Sequence, residues 1–282
     1  MIDNKKGRNE MRKIVAIGGG ENGRILDDGT AMPYETERMD REIIRLTGKE
    51  KPNFLFLAHS QSSSLEIQKS YYETMEKIYG EKFGCNCQDL KSIELRNMEL
   101  VKEKLEWADI IYEGGGDTLE MIELWKNTGF DKLLYEAWNK GKVMCGVSAG
   151  ACCWFKSCNS DSINIENGQT EFTSVDCLKW LNAHLTPHCD EKGRYETTKE
   201  QLRENSLVGI MLSNCSALEI IDNQYRMITS EPQGHNIEKA FGIKAYWDKN
   251  EYKEKDIPVS SKFESLDKLL NKEKVIDYED ER

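Results

Sequence analysis

Apolar and polar positions alternate along the chain in two different periods. From Arg12 onward, short runs of apolar residues are followed by longer runs in which apolar residues recur every three or four positions. This order is typical of buried strands alternating with amphipathic helices, and so of βαβ units and a parallel sheet. Predicted strands cover residues 14–17, 54–57, 109–112 and the apolar run before Gly146, and predicted helices cover residues 35–46, 65–79, 98–107, 119–125, 132–138 and 149–155.

The pattern is weaker in the second half of the chain. A strand is expected near residues 92–95 within an ambiguous stretch, and short β-like runs occur at 208–211, 216–221 and 225–227. Nineteen of the last 35 residues are charged, with one helical run at 263–270. We therefore expect one α/β domain with a doubly wound, mostly parallel sheet flanked by helices. Its expected divisions are a tail at 1–10, the domain at 11–247 and a charged extension at 248–282.

A candidate nucleophile lies in the Gly-Val-Ser-Ala-Gly segment at residues 146–150. The segment joins a predicted strand to a predicted helix, which is the context of a nucleophile elbow with Ser148 exposed at a strained turn. Gly146 and Gly150 would let the strand and the helix cross closely. The Ala149 amide, at the start of the helix, can donate a hydrogen bond to an oxyanion. A plain strand-to-helix connection is the alternative reading of the same five residues.

Two glycine clusters follow predicted strands. Residues 18–23 fit the Gly-x-Gly-x-x-Gly dinucleotide pattern, but no helix follows at once, and the second strand continues into His59 without an acidic ribose ligand. We therefore do not expect a dinucleotide site. In the second cluster, the amides of Gly115 and Gly116 can supply a further oxyanion donor near Ser148, or the cluster is simply a tight turn.

A serine nucleophile needs a base, and the chain has four histidines, His59, His184, His188 and His235. The spacing of His184 and His188 would suit a zinc site on a helix, but Pro187 disfavours a helix there. A loop or the end of a strand is the expected location. The residues alone do not separate a catalytic histidine from a structural one.

Composition narrows the class of protein. The net charge of −11 argues against a nucleic-acid-binding surface, and no stretch approaches the roughly 20 apolar residues of a membrane span. Nine cysteines scattered through predicted strands and helices do not resemble a disulfide framework. We therefore expect a cytoplasmic protein without nucleic-acid or membrane partners.

Three motifs in this order resemble the peptidase E (aspartyl dipeptidase) family, which includes the cyanophycinases. They are the Tyr-Glu-Gly-Gly-Gly-Asp-Thr segment at 112–118, the Gly-Val-Ser-Ala-Gly-Ala segment at 146–151 and Pro187-His188. The opening Ile-Gly-Gly-Gly at 17–20 is similar to the family's start, and the resemblance covers roughly residues 11–230. It implies a fold like that of class I glutamine amidotransferase domains, a serine-type peptidase and no metal or cofactor. The implied substrate is a small peptide with N-terminal aspartate, and a homodimer is left open.

The resemblance also implies roles for particular residues. The expected residues are Ser148 as nucleophile, His188 as base, Asp161 as the acidic residue after the elbow helix, Gly115, Gly116 and Ala149 at the oxyanion hole, and Arg194 and Lys199 as partners of a substrate carboxylate. The chain departs from the family where an acidic residue is expected after residues 208–210, because Met211-Leu212-Ser213-Asn214 stands there. Ser213 or Asn214 can hydrogen-bond a histidine without supplying charge. We favour Asp161 as the group that orients His188.

Two other functions remain open at this point. An amidotransferase-like hydrolase would use a cysteine, and Cys145, Cys152 and Cys153 flank the elbow, although the elbow position itself is Ser148. A binding protein could also keep the fold without the catalytic residues, since a shared fold does not imply shared activity.

Overall fold

The computed structural model describes residues 11–26, 28–163 and 171–273. The predicted tail at 1–10 and the last nine residues lie outside these ranges. The strands are β1 (Lys13–Ile17), β2 (Asn53–Leu57), β3 (Asn86–Leu90), β4 (Ile110–Glu113), β5 (Val143–Val147), β6 (Phe155–Ser160), β7 (Thr173–Asp176), β8 (Leu181–Thr186), β9 (Gly209–Leu212), β10 (Ser216–Ile221), β11 (Gln224–Thr229), β12 (Gly242–Asp248), β13 (Glu251–Asp256) and β14 (Glu264–Ser265). The helices are α1 (Glu37–Thr47), α2 (Leu65–Glu76), α3 (Met98–Trp107), α4 (Thr118–Thr128), α5 (Phe130–Asn139), α6 (Ala149–Cys152), α7 (Arg194–Asn205) and α8 (Leu266–Leu270).

Local capping explains several helix boundaries. The side chains of Ser64, Asn97 and Asp117 each accept a hydrogen bond from the backbone amide three residues later, at the starts of α2, α3 and α4. Gly48 and Gly129 adopt left-handed conformations at the ends of α1 and α4. These helices therefore begin and end close to their predicted positions.

The larger sheet has eight strands in the order β14-β11-β10-β1-β5-β4-β2-β3. Its five strands from β1 to β3 are parallel, and the three at the other edge are antiparallel. Side chains of β1 alternate between the two faces, with Ile14 and Ala16 in one hydrophobic cluster and Val15 and Ile17 in the other. The α/β fold class and the helices on this sheet are confirmed.

A second, six-stranded sheet was not expected from the sequence. Its order is β13-β12-β9-β8-β6-β7, with β6, β8 and β9 parallel and the remaining pairs antiparallel. A helix was predicted from residue 149 to residue 155, but α6 ends at Cys152. The chain from Phe155 onward is therefore free to form β6, a strand of the second sheet. The fold is therefore a single α/β domain with two mixed sheets flanked by helices, as the expected fold class requires, and the second sheet is an addition that the sequence pattern did not indicate.

Two further expectations differ from the structure. The predicted strand at 92–95 is a 3-10 helix, Ser92–Arg96, and the strand lies earlier at Asn86–Leu90. The expected boundary at residue 248 falls inside a hairpin, because β12 pairs with β13 from Ile243 to Asp256. Leu266 and Leu269 are buried in the main hydrophobic cluster, so the charged segment is part of the domain as far as residue 273.

Candidate active site

Ser148 occupies the tight turn between β5 and α6. Its backbone has φ 56° and ψ −114°, a conformation that side-chain-bearing residues rarely adopt and that structures retain mainly at functional sites. The Ser148 amide donates to the carbonyl of Ile17 at 3.0 Å, which fixes the turn at the carboxyl end of β1. Ligands of open parallel sheets bind at this edge of the sheet.

Two glycines allow the strand and the helix around Ser148 to cross. A Cβ atom on Gly150 would lie 2.1 Å from the Glu113 carbonyl oxygen, and one on Gly146 would lie 2.5 Å from the Gly150 carbonyl oxygen. No real Cβ tolerates such distances, so both positions require glycine. The close crossing predicted from the sequence is confirmed.

His188 lies in the turn after β8, in the second sheet. Its amide donates to the carbonyl of Gly18 at 3.0 Å, one residue beyond the carbonyl that holds Ser148. The imidazole packs on the bare backbone of Gly19, where a Cβ atom would lie 2.3 Å from His188 Nδ1. The opening glycine cluster therefore provides room for His188, which gives these glycines a role that is unrelated to dinucleotides.

Asn214 fixes the tautomer of His188. The Asn214 side-chain nitrogen donates to both Asp190 carboxylate oxygens, at 3.2 and 3.0 Å. Because a carboxylate only accepts, the amide turns its oxygen toward the histidine, and that oxygen lies 2.7 Å from His188 Nδ1. Nδ1 therefore donates, and Nε2 retains the lone pair that a general base needs. Burial lowers the pKa of His188 from its ordinary value, which favours the neutral ring.

Ser148 Oγ and His188 do not hydrogen-bond to each other in the described part of the chain. They are nevertheless held by consecutive carbonyls at the end of β1, Ile17 and Gly18. Nucleophile and base are often farther apart without substrate than in the reacting complex. The arrangement therefore suits a serine and histidine that act together.

Asp161 does not orient His188 directly, which corrects the sequence expectation. Its carboxylate accepts from the Arg194 guanidinium at 3.0 Å and makes neither a hydrogen bond nor an ion pair with His188 among the described residues. Arg194 also pairs with Glu191 at 3.0 Å, so two carboxylates already neutralise this buried guanidinium. Asn214 holds His188 instead, and it lies in the loop where the family resemblance led us to expect an acidic residue.

Lys199 and Arg194 were expected to meet a substrate carboxylate. Lys199 lies on the face of α7 that packs against β12. Its ammonium group is 4.7 Å from the centre of the Tyr252 ring. Neither Lys199 nor Arg194 lines the cavity beside Ser148. The geometry therefore does not support the expected carboxylate-binding role of these two residues.

A cavity of about 780 Å³ opens beside Ser148. Val147, which precedes Ser148, lines it, and so does Gly115, where a Cβ atom would contact the Ser148 Cβ at 3.4 Å. Arg24 is the only cationic side chain among the described residues of the wall. The other lining residues are Gly20, Glu21, Asn22, Ile25, Leu26, Asp28, Thr36, Gln61, Ile67, Ser70, Tyr71, Thr74 and Tyr112.

The candidate oxyanion donors differ in how they are engaged. The Gly115 amide donates to the Tyr71 hydroxyl at 3.2 Å, so this donor is already occupied. The Gly116 and Ala149 amides have no hydrogen-bond acceptor within the described ranges. A Cβ on Gly116 would lie 2.4 Å from the Ser60 carbonyl oxygen, so this turn also requires glycine.

Two other histidines, His59 and His184, and the cysteines that flank the elbow do not suit catalysis there. His59 and His184 are fully buried, and burial lowers the pKa of each to about 4. Cys145 and Cys152 are at most 1% exposed, and burial raises the pKa of both thiols well above the ordinary value. Reactive cysteines are accessible and have low pKa values. A cysteine nucleophile at this elbow is therefore not supported.

Comparisons with known proteins identify similar peptidases. A model of peptidase family S51 matches residues 26–228. The chain is 29% identical over 226 residues to the uncharacterized peptidase YgaJ of Bacillus subtilis, covering 79% of this chain and 90% of that protein. It is also 29% identical over 151 residues to the uncharacterized peptidase Lmo0363 of Listeria monocytogenes, covering 51% and 69%.

Two solved structures share the fold. A peptidase from an acI-B1 actinobacterium superposes with a TM-score of 0.65 at 16% identity, covering 92% of this chain and 98% of the other. A putative peptidase E protein from Listeria monocytogenes EGD-e gives 0.55 at 19% identity, covering 78% and 98%. None of the helices in the described ranges has the length and apolar composition needed to cross a membrane.

Proposed function

The chain belongs to peptidase family S51 and is a serine-type peptidase, and on that premise we propose that it is a dipeptidase with Ser148 as nucleophile and His188 as base. Family membership also agrees with the relation to peptidase E that the motifs implied. The observation that carries the proposal is the joint anchoring of Ser148 and His188 by the Ile17 and Gly18 carbonyls. Asn214 completes this arrangement by leaving His188 Nε2 free to accept a proton.

The reaction follows from these groups. Ser148 Oγ attacks the peptide carbonyl while its proton passes to His188 Nε2, and the carbonyl oxygen becomes an oxyanion. The tetrahedral intermediate collapses, and His188 returns the proton to the departing amine. Water then attacks the acyl-serine with His188 again as base, which releases the acid and restores Ser148.

In this proposal, the amides of Gly116 and Ala149 hold the oxyanion. Ala149 directly follows Ser148, Gly116 follows Gly115, which lies against the Ser148 side chain, and neither amide is engaged by another described residue. Gly115 instead orients the loop through its bond to the Tyr71 hydroxyl. Preorganised backbone donors of this kind typically contribute about 10²–10³ in rate each.

Asn214 orients His188 without a full negative charge. It accepts the Nδ1 proton, while Asp190 fixes the Asn214 amide from behind. A neutral orienter stabilises the imidazolium less than a carboxylate would, so the negative charge comes from Glu191, whose Oε1 lies 3.7 Å from His188 Nδ1, and from Asp190 behind Asn214. Asp161 is then a partner of Arg194 and has no part in proton transfer.

We assign the cavity to a small peptide with N-terminal aspartate. Arg24 is 53% exposed and donates from Nε and Nη2 to the Glu21 carboxylate at 3.1 and 3.2 Å, and its remaining N–H groups can donate to the aspartate carboxylate. Glu21 and Asp28 on the same wall suit the peptide's ammonium group. A cytoplasmic location is proposed from the nine cysteines, all of them free.

Hydrolysis of Asp-Leu and Ala-Leu tests the specificity. We expect a higher kcat/KM for Asp-Leu, and Arg24→Gln should reduce that preference at least about tenfold, a loss typical of one charged contact. Arg96→Gln removes an exposed arginine outside the cavity and serves as the matched control. Equal rates on both dipeptides would reject the aspartyl specificity, whereas loss of all activity in Ser148→Ala tests the nucleophile separately.

A further inference from the structure

Three side chains with different donor atoms meet behind the cavity wall. Glu35 precedes α1, Cys215 precedes β10, and His235 lies in the connection between β11 and β12. One donor atom from each lies within 4.8 Å of the others, and they are the one group of three metal-ligating side chains found within the described ranges. Cys215 is 0% exposed and Glu35 is 1% exposed, so the thiol and the carboxylate face each other away from solvent.

The distance between the His235 imidazole and the Glu35 carboxylate fits a tetrahedral ion. His235 Nε2 lies 3.0 Å from Glu35 Oε2. Two ligand atoms at the usual zinc distances of about 2.0–2.1 Å are about 3.3 Å apart when the geometry is tetrahedral. A thiolate, an imidazole and a carboxylate together form the mixed donor set that Zn²⁺ accepts.

The surroundings of Glu35 already hold its carboxylate in place. Glu35 Oε1 accepts from the Gln233 amide at 2.6 Å and the Gly234 amide at 2.9 Å. Glu35 Oε2 accepts from the Glu21 amide at 2.8 Å and faces His235. Metal-binding carboxylates are commonly oriented by such outer hydrogen bonds. Oε2 can therefore bind an ion while Oε1 keeps both of its amides.

We propose that Glu35, Cys215 and His235 bind one Zn²⁺ ion, with water in the fourth position. Binding replaces the hydrogen bond between His235 Nε2 and Glu35 Oε2. The imidazole proton moves from Nε2 to Nδ1 by exchange with solvent, and the Cys215 thiol releases its proton to solvent. The proposal does not depend on the assigned peptidase reaction, which the family resemblance implies to need no metal.

The ion would join three segments that are distant in sequence and close to the active site. Cys215 directly follows Asn214, which holds His188, and its amide donates to the Gly19 carbonyl at 3.0 Å. Glu35 holds the backbone of Glu21 in the cavity wall. Zinc would thus anchor the segment around residue 235 to the two elements that shape the site.

Zinc binding to the purified full-length protein tests the proposal. After EDTA treatment and dialysis, Zn²⁺ is titrated against a chromophoric chelator, and bound metal is counted by mass spectrometry. We expect one Zn²⁺ per chain, with affinity at least about 100-fold lower in Cys215→Ser and in His235→Gln. Cys87→Ser, which removes a half-buried thiol elsewhere, is the matched control and should bind as the wild type does.

Cobalt provides a second readout that needs no variant. Co²⁺ bound in place of Zn²⁺ should give the near-ultraviolet charge-transfer absorption of a cobalt–thiolate bond, and this band should be absent in Cys215→Ser. Failure of the wild type to bind one equivalent would overturn the proposal. So would unchanged affinity in both ligand variants, or a cobalt spectrum without thiolate absorption.

Discussion

Replacing Gly19 by alanine tests whether the opening glycine cluster serves catalysis. A Cβ atom at this position would lie 2.3 Å from His188 Nδ1 and 2.2 Å from Asn214 Oδ1. Ordinary contacts between such atoms are about 3.3 Å or longer. Both side chains must therefore move by about 1 Å, or the backbone must move by the same amount away from Ser148.

The expected loss follows from that displacement. Misplacing a catalytic group by about 1 Å can cost 10²-fold in rate. We therefore expect kcat/KM of Gly19→Ala to fall by about 10²-fold, equivalent to about 2.7 kcal/mol of transition-state stabilisation. Overpacking is expected to destabilise the fold by about 1–3 kcal/mol, so a folded enzyme should remain for the measurement.

The assay is dipeptide hydrolysis at a temperature where thermal unfolding shows each variant to be folded. Gly48→Ala is the matched control, because Gly48 also has a positive φ, 67°, yet no atom lies within 4 Å of its added Cβ. It should lose stability through backbone strain and keep its activity. Retention of kcat/KM within about threefold of the wild type in folded Gly19→Ala would refute the proposed contact between Gly19 and the base.

Three further expectations follow from the site and the fold. Because burial lowers the pKa of His188 and only the neutral ring accepts a proton, the acid limb of kcat/KM should have its midpoint below 6.5; a midpoint above 7 would contradict this. Asn214→Ala should lower kcat about 10²-fold with little change in KM, since the acceptor that fixes Nδ1 is lost; unchanged kcat would reject that role. Leu269→Ala should lower the free energy of unfolding by about 2–5 kcal/mol in urea denaturation, because Leu269 is 1% exposed; a loss no larger than that of exposed Leu65→Ala would show that the charged segment does not stabilise the domain.

Features set by neighbouring residues could be predicted from the sequence. The turn at Ser148 and the glycines that flank it lie within five positions, so their steric demands are visible in the motif itself. The first strands and helices were also predictable, because each is a continuous apolar or amphipathic run. Helix α6 was predicted too long, since Trp154 and Phe155 are apolar in either a helix or a buried strand.

Features set by distant residues could not be predicted in the same way. The Asp161 carboxylate pairs with Arg194, 33 positions later, and no local pattern distinguishes this partner from His188. Asn214 holds His188 across 26 positions and does so as an amide, although the family pattern pointed to an acid. Arg24 lines the cavity but lies in a segment that the sequence pattern indicated only as a loop, so its position could not be predicted. The charged segment after Asp248 contains few apolar residues among many charged ones. Its pattern therefore did not indicate that it contributes one strand to each sheet.

Active-site labelling with a fluorophosphonate probe tests most directly whether Ser148 is a nucleophile activated by His188. We expect peptide mapping by mass spectrometry to find the adduct on Ser148 of the folded wild-type protein. The adduct should be absent in Ser148→Ala and form at least about 10²-fold more slowly in His188→Gln, because the general base is removed. No adduct on the folded wild type, an adduct on another residue, or an equal rate in His188→Gln would contradict the assignment of this pair.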